Sequence, residues 1–283
     1  MIKVGMNLLL WTDSISLEKD QALIEKVIKI GFDGVEIPVF AGMDLDGAKR
    51  LGEFLKKNNI PCTALSVINP SLANSVSPDK KMRDAFVDLV NTHIDYSVEL
   101  GAELLMGPLT QALGYFSGER PTKQEWQWSV DACRAFGEYA GRKNMPIAIE
   151  PLNRFEQYMV NTAETAVKYI EEVNLKNVGL IMDTMHMNIE ELDVAKALEY
   201  AMPHTIHIHI SENNRGIPGT GHACGKDVFD VIKKTGYSGW LTIEAFNEGA
   251  PSMQGPLHLW RAFAPSDDAL AKQGMEYIRS MIK

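Results

Sequence analysis

Eight short apolar runs punctuate the chain, and segments with helical spacing separate them. The first four lie near Val4 to Trp11, Val35 to Phe40, Cys62 to Ile68 and Glu103 to Pro108. The next four are PIAIEPL, VGLIMDT, TIHIHIS and WLTIEAF. Each is rich in aliphatic or β-branched residues and bounded by Gly, Pro or polar positions, as expected of strands covered on both faces in a parallel sheet. Leu17 to Ile30, Lys80 to Leu100, Lys123 to Arg142 and Thr162 to Val173 instead repeat with helical spacing. Asn161 or Thr162 is placed to cap the last of these, while Gly31, Gly101 and Gly236 stand where helices stop. A strand and a helix alternating eight times predict an α/β chain folded as a (β/α)8 TIM barrel.

The length of 283 residues suits one barrel domain over 1–283 with one core, and no Pro, Gly or Ser stretch is long enough to divide it. The longest connection runs from Asn247 to Ser266, a segment suited to a lid or a subunit contact, and its Trp260 and Phe263 are expected to pack against the barrel. MIKVGMNLLLW is too short an apolar run for a secretory signal, and no later run approaches a membrane span, so a soluble, cytoplasmic protein with no membrane partner is expected. The three cysteines, Cys62, Cys133 and Cys224, are odd in number and widely spaced, which argues against a disulfide framework or a structural zinc knot. A formal net charge of -9 repels phosphate backbones, and no run of Lys and Arg reverses it locally, so nucleic acid is not expected as a partner.

The chemistry concentrates in the last four runs. Each carries one metal-liking side chain near its C-terminal end: Glu150, Asp183, His209 and Glu244. In a parallel barrel that end is where active sites sit. One such residue alone reads as a capping or salt-bridged group, but four in register read differently. Three carboxylates buried together without a cation would cost several kcal/mol in repulsion and desolvation. Mixed oxygen and nitrogen donors suit one divalent ion such as Mn²⁺, Co²⁺, Mg²⁺ or Zn²⁺. His207 shares the face of His209 one layer deeper and reads as a histidine of the barrel interior rather than a ligand. His186, three residues after Asp183, could bind a substrate or a second ion. NRFE contributes Arg154 and Glu156, and SENNRG contributes Glu212 and Arg215; each string reads as a solvated loop ion pair or as part of the barrel mouth. Gly216, Gly219 and Gly221 beside Arg215 also leave a phosphate clamp open.

The segments IEPLNRFE, MDTMHMNIEE and SENNRGIPGTG resemble the hallmark segments of the ketose 3-epimerases, the D-tagatose, D-allulose (psicose) and L-ribulose 3-epimerase group of the xylose-isomerase-like barrels. The resemblance spans essentially the whole chain. It implies one Mn²⁺ or Co²⁺ bound by Glu150, Asp183, His209 and Glu244, with Glu156, His186 and Arg215 contacting a sugar. It also implies that Glu150 and Glu244 flank C3 of a ketose and exchange acid and base roles through a cis-enediolate. A homodimer or homotetramer is implied as well. Asn7, Leu8, Leu9 and Leu10 stand where relatives often carry aromatics at the far end of the sugar site, so that wall is expected to differ. An aldose-ketose isomerase, or an epimerase of a phosphorylated or modified sugar, would use nearly the same constellation. A DNA-repair endonuclease on this scaffold would need extra histidines, and Ser66 to Asn69 and Met106 to Pro108 contain none.

Overall fold

The computed structural model describes residues 1–40 and 42–283. Eight parallel strands close into a barrel in sequence order, β1 (Lys3–Asn7), β2 (Gly34–Pro38), β3 (Cys62–Leu65), β4 (Leu105–Gly107), β5 (Ile147–Ile149), β6 (Val178–Asp183), β7 (Thr205–Ile210) and β8 (Trp240–Ile243), with β8 pairing back onto β1. This is the (β/α)8 TIM barrel that the alternation predicts, and nearly every strand residue is buried.

Several of the runs are shorter as strands than their apolar stretches. The first ends at Asn7, whose side-chain oxygen accepts the backbone N–H of Leu9 at 2.9 Å and starts a 3-10 turn over Leu8–Leu10. A short polar side chain that bonds its own backbone two residues on offers an alternative to the strand ladder. The fourth spans only Leu105–Gly107.

The helices Leu17–Ile30, Lys80–Leu100 and Lys123–Arg142 form where the periodicity places them, and Gly31 and Gly101 end the first two in the left-handed region. Thr162 caps Ala163–Val173 through a reciprocal pair of bonds with Thr165, a device worth about 1 kcal/mol. No helix among the described residues is long and apolar enough to cross a membrane. All three cysteines are buried and free.

Alternate strand positions feed two apolar layers. Ala64, Leu105, Ile147, Ile149, Leu180 and Met182 join the large cluster beneath the helices, whereas Leu65, Met106, Ala148 and Ile181 form a smaller inner cluster with Leu9 and Phe246. Phe263, from the connection after β8, packs on that inner cluster as expected. Trp260 does not: it is 74% exposed, because the buried Leu259 beside it supplies the apolar contact of that turn.

Candidate metal centre at the barrel mouth

Glu150 directly follows β5, Asp183 ends β6, His209 is the penultimate residue of β7 and Glu244 directly follows β8. A register shift in the β6–β7 ladder is part of this arrangement. Leu180 pairs with Thr205, yet Ile181 pairs with His207, so one extra residue on β7 brings His209 level with Asp183. The four residues offer ligand atoms that all lie within 4.8 Å of one another. His209 Nδ1 lies 3.5 Å from Asp183 Oδ2, 3.7 Å from Glu244 Oε2 and 3.9 Å from Glu150 Oε1. Such gaps exceed good hydrogen bonds and suit donors that share one ion at about 2.0–2.2 Å from each.

Two atoms of the set, Glu150 Oε1 and His209 Nδ1, are buried with no hydrogen-bond partner. Orphans of that kind cost about 1–3 kcal/mol each. A cation would satisfy both, and three carboxylates with one imidazole are a hard to borderline donor set. The cluster therefore fits a divalent metal site.

Electrostatics separate the two glutamates. Burial drives Glu150 well above its ordinary range, and the charge of Glu244 adds to that. Burial acts the same way on Glu244, but Arg215 and His209 outweigh it and hold that carboxyl below its ordinary value. Asp183 is likewise lowered, since His209, His186 and Arg215 outweigh its burial. Asp183 is further fixed by the backbone N–H of Met185 at 2.7 Å and the Ser211 hydroxyl at 2.7 Å.

Glu36, a residue that the strand pattern alone does not mark as functional, supports the cluster from across the barrel. It lies in the middle of β2, fully buried, and its Oε1 is 2.8 Å from His209 Nε2. A carboxylate only accepts, so Nε2 carries a proton there and Nδ1 is aimed at the metal cluster, where it would offer its lone pair to a cation. Burial alone would lower the ring's pKa, but Glu36, Asp183 and Glu244 outweigh it and raise it well above the ordinary value in the absence of an ion. Asn7 donates to Glu36 Oε1 at 3.0 Å and Thr63 to Oε2 at 2.8 Å. These three residues sit level on β1, β2 and β3. Burial opposes the charge on Glu36, but His209 and His207 outweigh it and keep its pKa low. His207 Nε2 is 3.0 Å from Oε2, off the line of a straight hydrogen bond. Glu36, His207 and His209 are also spaced like a ligand set, yet both Glu36 oxygens already have donors. The sequence did carry a signal: an unpaired Glu inside the apolar run Val35 to Phe40 needs a buried partner.

The residues of the three long motifs divide into those that reach the site and those that do not. His186 is buried, and its Nδ1 takes donors from the Asn153 amide at 2.8 Å and the Asn153 backbone at 3.3 Å. Burial keeps the ring neutral by lowering its pKa, so its proton sits on Nε2. Arg215 Nη2 lies 3.0 Å from that nitrogen; a guanidinium cannot accept, so with the proton on Nε2 the two N–H groups are not bonded to each other and both need an acceptor. Two donors thus converge on one side of a cavity of about 170 Å³ that Glu150, Glu156 and Glu244 also line. Arg215 additionally pairs with Glu244. Arg154 stays outside, its exposed guanidinium paired with the largely buried carboxylate of Glu190.

Glu212 corrects the solvated-loop reading of SENNRG. It is buried, and its carboxylate accepts from the backbone N–H groups of Asn213, Gly219 and Ala223 at 2.8–3.0 Å. The loop folds around this anchor, Arg215 takes a left-handed backbone conformation with φ 59°, and its side chain enters the cavity. Gly221 has no room for a side chain, since a Cβ there would stand 2.0 Å from Asn213 Oδ1. Glu212 already occupies the N–H group of Gly219 and brings a negative charge, and Asn214 takes the N–H group of Gly216, which disfavours a phosphate on this loop.

The xylose isomerase-like TIM barrel family model matches residues 24–281. A probable ketose 3-epimerase of Synechocystis is 31% identical over 278 residues, covering 98% of this chain and 96% of the relative. An L-ribulose 3-epimerase of Mesorhizobium japonicum is 29% identical over 283 residues, covering 98% and 93%. The crystal structure of a D-allulose 3-epimerase of Methylomonas in complex with D-allulose superposes with a TM-score of 0.91 at 27% identity, covering 99% of this chain and 97% of that one. The chain belongs to the xylose isomerase-like TIM barrel family and, with these relatives, to the ketose 3-epimerase branch of the isomerases.

Proposed function

We propose that the protein epimerises a free ketose at C3, of the D-tagatose, D-fructose/D-allulose or L-ribulose class, by removing the C3 proton on one face and returning one on the other through a cis-enediolate. The observation that carries this reading is the pair Glu150 and Glu244. Both line the same cavity beside the same cluster, one from the end of β5 and the other from the end of β8. Two carboxyl groups set on different strands around one ligand can supply one acid and one base. Glu150 and Glu244 exchange those roles according to the direction of reaction.

Glu150, Asp183, His209 and Glu244 would hold one divalent ion, Mn²⁺ or Co²⁺. When bound, such an ion supplies Lewis acidity that lowers the acidity barrier at carbon next to a ketone and offsets the charge of the enediolate. His186 Nε2–H and Arg215 hold the oxygens at the O1 and O2 end, where their donors converge. Asn153 keeps the His186 tautomer, and it also donates to Glu156 at 2.8 Å, which positions that carboxylate at the sugar. The Glu212 anchor weighs against a phosphorylated substrate on this loop.

The test is hydrogen exchange at carbon. Protein loaded with Mn²⁺ is incubated with D-fructose, D-tagatose and L-ribulose in D₂O, and the label in recovered sugar is located by NMR. Deuterium at C3 together with the C3 epimer is the expected outcome. Deuterium at C1 or C2 with an aldose product would make the enzyme an aldose-ketose isomerase instead.

A further inference from the structure

We infer that the preferred substrate has no hydroxyl at its far end, so that a ketose terminating in a methyl group, a 6-deoxyketohexose, is favoured over the parent ketohexose. The inference rests on the epimerase reading above and names the substrate class of that same site. Among the described residues, every polar side chain that lines the 170 Å³ cavity comes from the ends of β5 to β8 or the segments that follow them. Those groups bind or act on the first three carbons of a ketose. What remains for C4 to C6 is the opposite wall, built after β1 to β4 from Leu9, Phe40, Leu65, Val67 and Leu113, and roofed by Met253 and Leu257. None of these side chains donates a hydrogen bond, and only the Met253 thioether accepts, weakly.

Three backbone groups of that wall are engaged as well. The N–H of Leu9 goes to Asn7, the N–H of Leu113 to the Ile68 carbonyl, and the Leu65 carbonyl accepts from Val39. A hydroxyl on the terminal carbon would leave water for a surface without partners, while a methyl group there gains contact with five apolar side chains. The two ends of the cavity therefore differ in chemistry.

Rates at limiting substrate, kcat/KM, measured on the Mn²⁺-loaded enzyme with matched sugars decide the matter. The pairs are D-fructose with 6-deoxy-D-fructose and D-tagatose with 6-deoxy-D-tagatose, each corrected for its furanose plus open-chain fraction by NMR. The 6-deoxy sugars are expected to be favoured about tenfold to a hundredfold, the range in which an apolar pocket rejects an added hydroxyl. 1-deoxy-D-fructose, which loses an oxygen at the polar end, is expected to fall below D-fructose. Val67→Thr places a hydroxyl in the wall at nearly constant volume and is expected to narrow the 6-deoxy preference. Equal or lower kcat/KM for the 6-deoxy sugars, with C3 exchange intact in the parents, overturns this inference alone. No C3 exchange with any sugar overturns the epimerase reading and this one with it.

Discussion

Strands β5 to β8 deliver Glu150, Asp183, His209 and Glu244 to the cavity, whereas the ends of β1 to β4 deliver Leu9, Phe40, Leu65, Val67 and Leu113. The first half of the barrel is not without polar groups. It keeps Asn7, Glu36 and Thr63 bonded to one another at one level of the barrel, and from there Glu36 reaches His209 in the other half. One half of the mouth thus presents chemistry to the ligand, and the other presents an apolar surface above a carboxylate that orients the chemistry. One buried carboxyl group from each half is held in the opposite way. Glu150 is left with an unpartnered oxygen and an elevated pKa, while Glu36 has a donor on each oxygen and a depressed one.

The hardest test of that division is to neutralise the two cavity carboxylates. Glu150→Gln and Glu244→Gln are each expected to reduce kcat for C3 exchange by about 10²–10⁴-fold, with the fold retained by circular dichroism. Near-normal exchange by either variant with metal bound would remove the two-base assignment and leave the halves chemically undistinguished.

A smaller effect is expected from the silent half. Glu36→Gln keeps the shape of the β2 side chain but no longer offers His209 Nε2 a charged acceptor. Loss of such a partner typically costs 10–100-fold in metal affinity. Calorimetric titration with Mn²⁺ should show that loss, and saturating Mn²⁺ should restore most of the turnover. Unchanged affinity would mean that Glu36 only fills the barrel interior.

The smallest effect, and the sharpest in sign, lies in the pH dependence of the metal-free protein. Glu150 has a folded pKa above the usual glutamate value near 4.5, so the folded chain binds its proton more tightly than the unfolded one. Its contribution is full below pH 4.5 and drains away as pH rises toward the folded value. Glu36 is depressed from the same starting value, so its contribution is present above 4.5 and is lost as pH falls. Metal-free Glu150→Gln is therefore expected to melt higher than the parent, with a gap that widens from pH 4.5 toward neutrality, and Glu36→Gln lower, with a gap that is already full above pH 4.5 and closes as pH falls below it. Thermal melts across that range check both signs, and gaps of the same sign would erase the contrast.

Much of this architecture is legible in the residues. The eight runs, the helix ends at Gly31 and Gly101 and the cap at Thr162 follow from local rules: hydrophobic period, φ preference and side-chain capping act within a few residues. Glu150, Asp183, His209 and Glu244 could be picked out because each stands at the same place in its own run, and a strand end in a parallel barrel has a known direction. Glu212 was visible as a residue but not as an anchor, since its partners at Gly219 and Ala223 lie in a loop with no periodicity to read.

The sequence by itself determined which segments become strands, which become helices and which charged side chains stand at the strand ends, because those properties are set by near neighbours. Only closure of the barrel decided the rest. The β6–β7 register shift that levels His209 with Asp183 depends on how two strands pair, and the Glu36–His209 contact joins residues 173 positions apart. The apolar wall facing the two glutamates exists only because β1 to β4 come round opposite β5 to β8. Such contacts are made by the closed sheet as a whole, so no single stretch of the chain carries them.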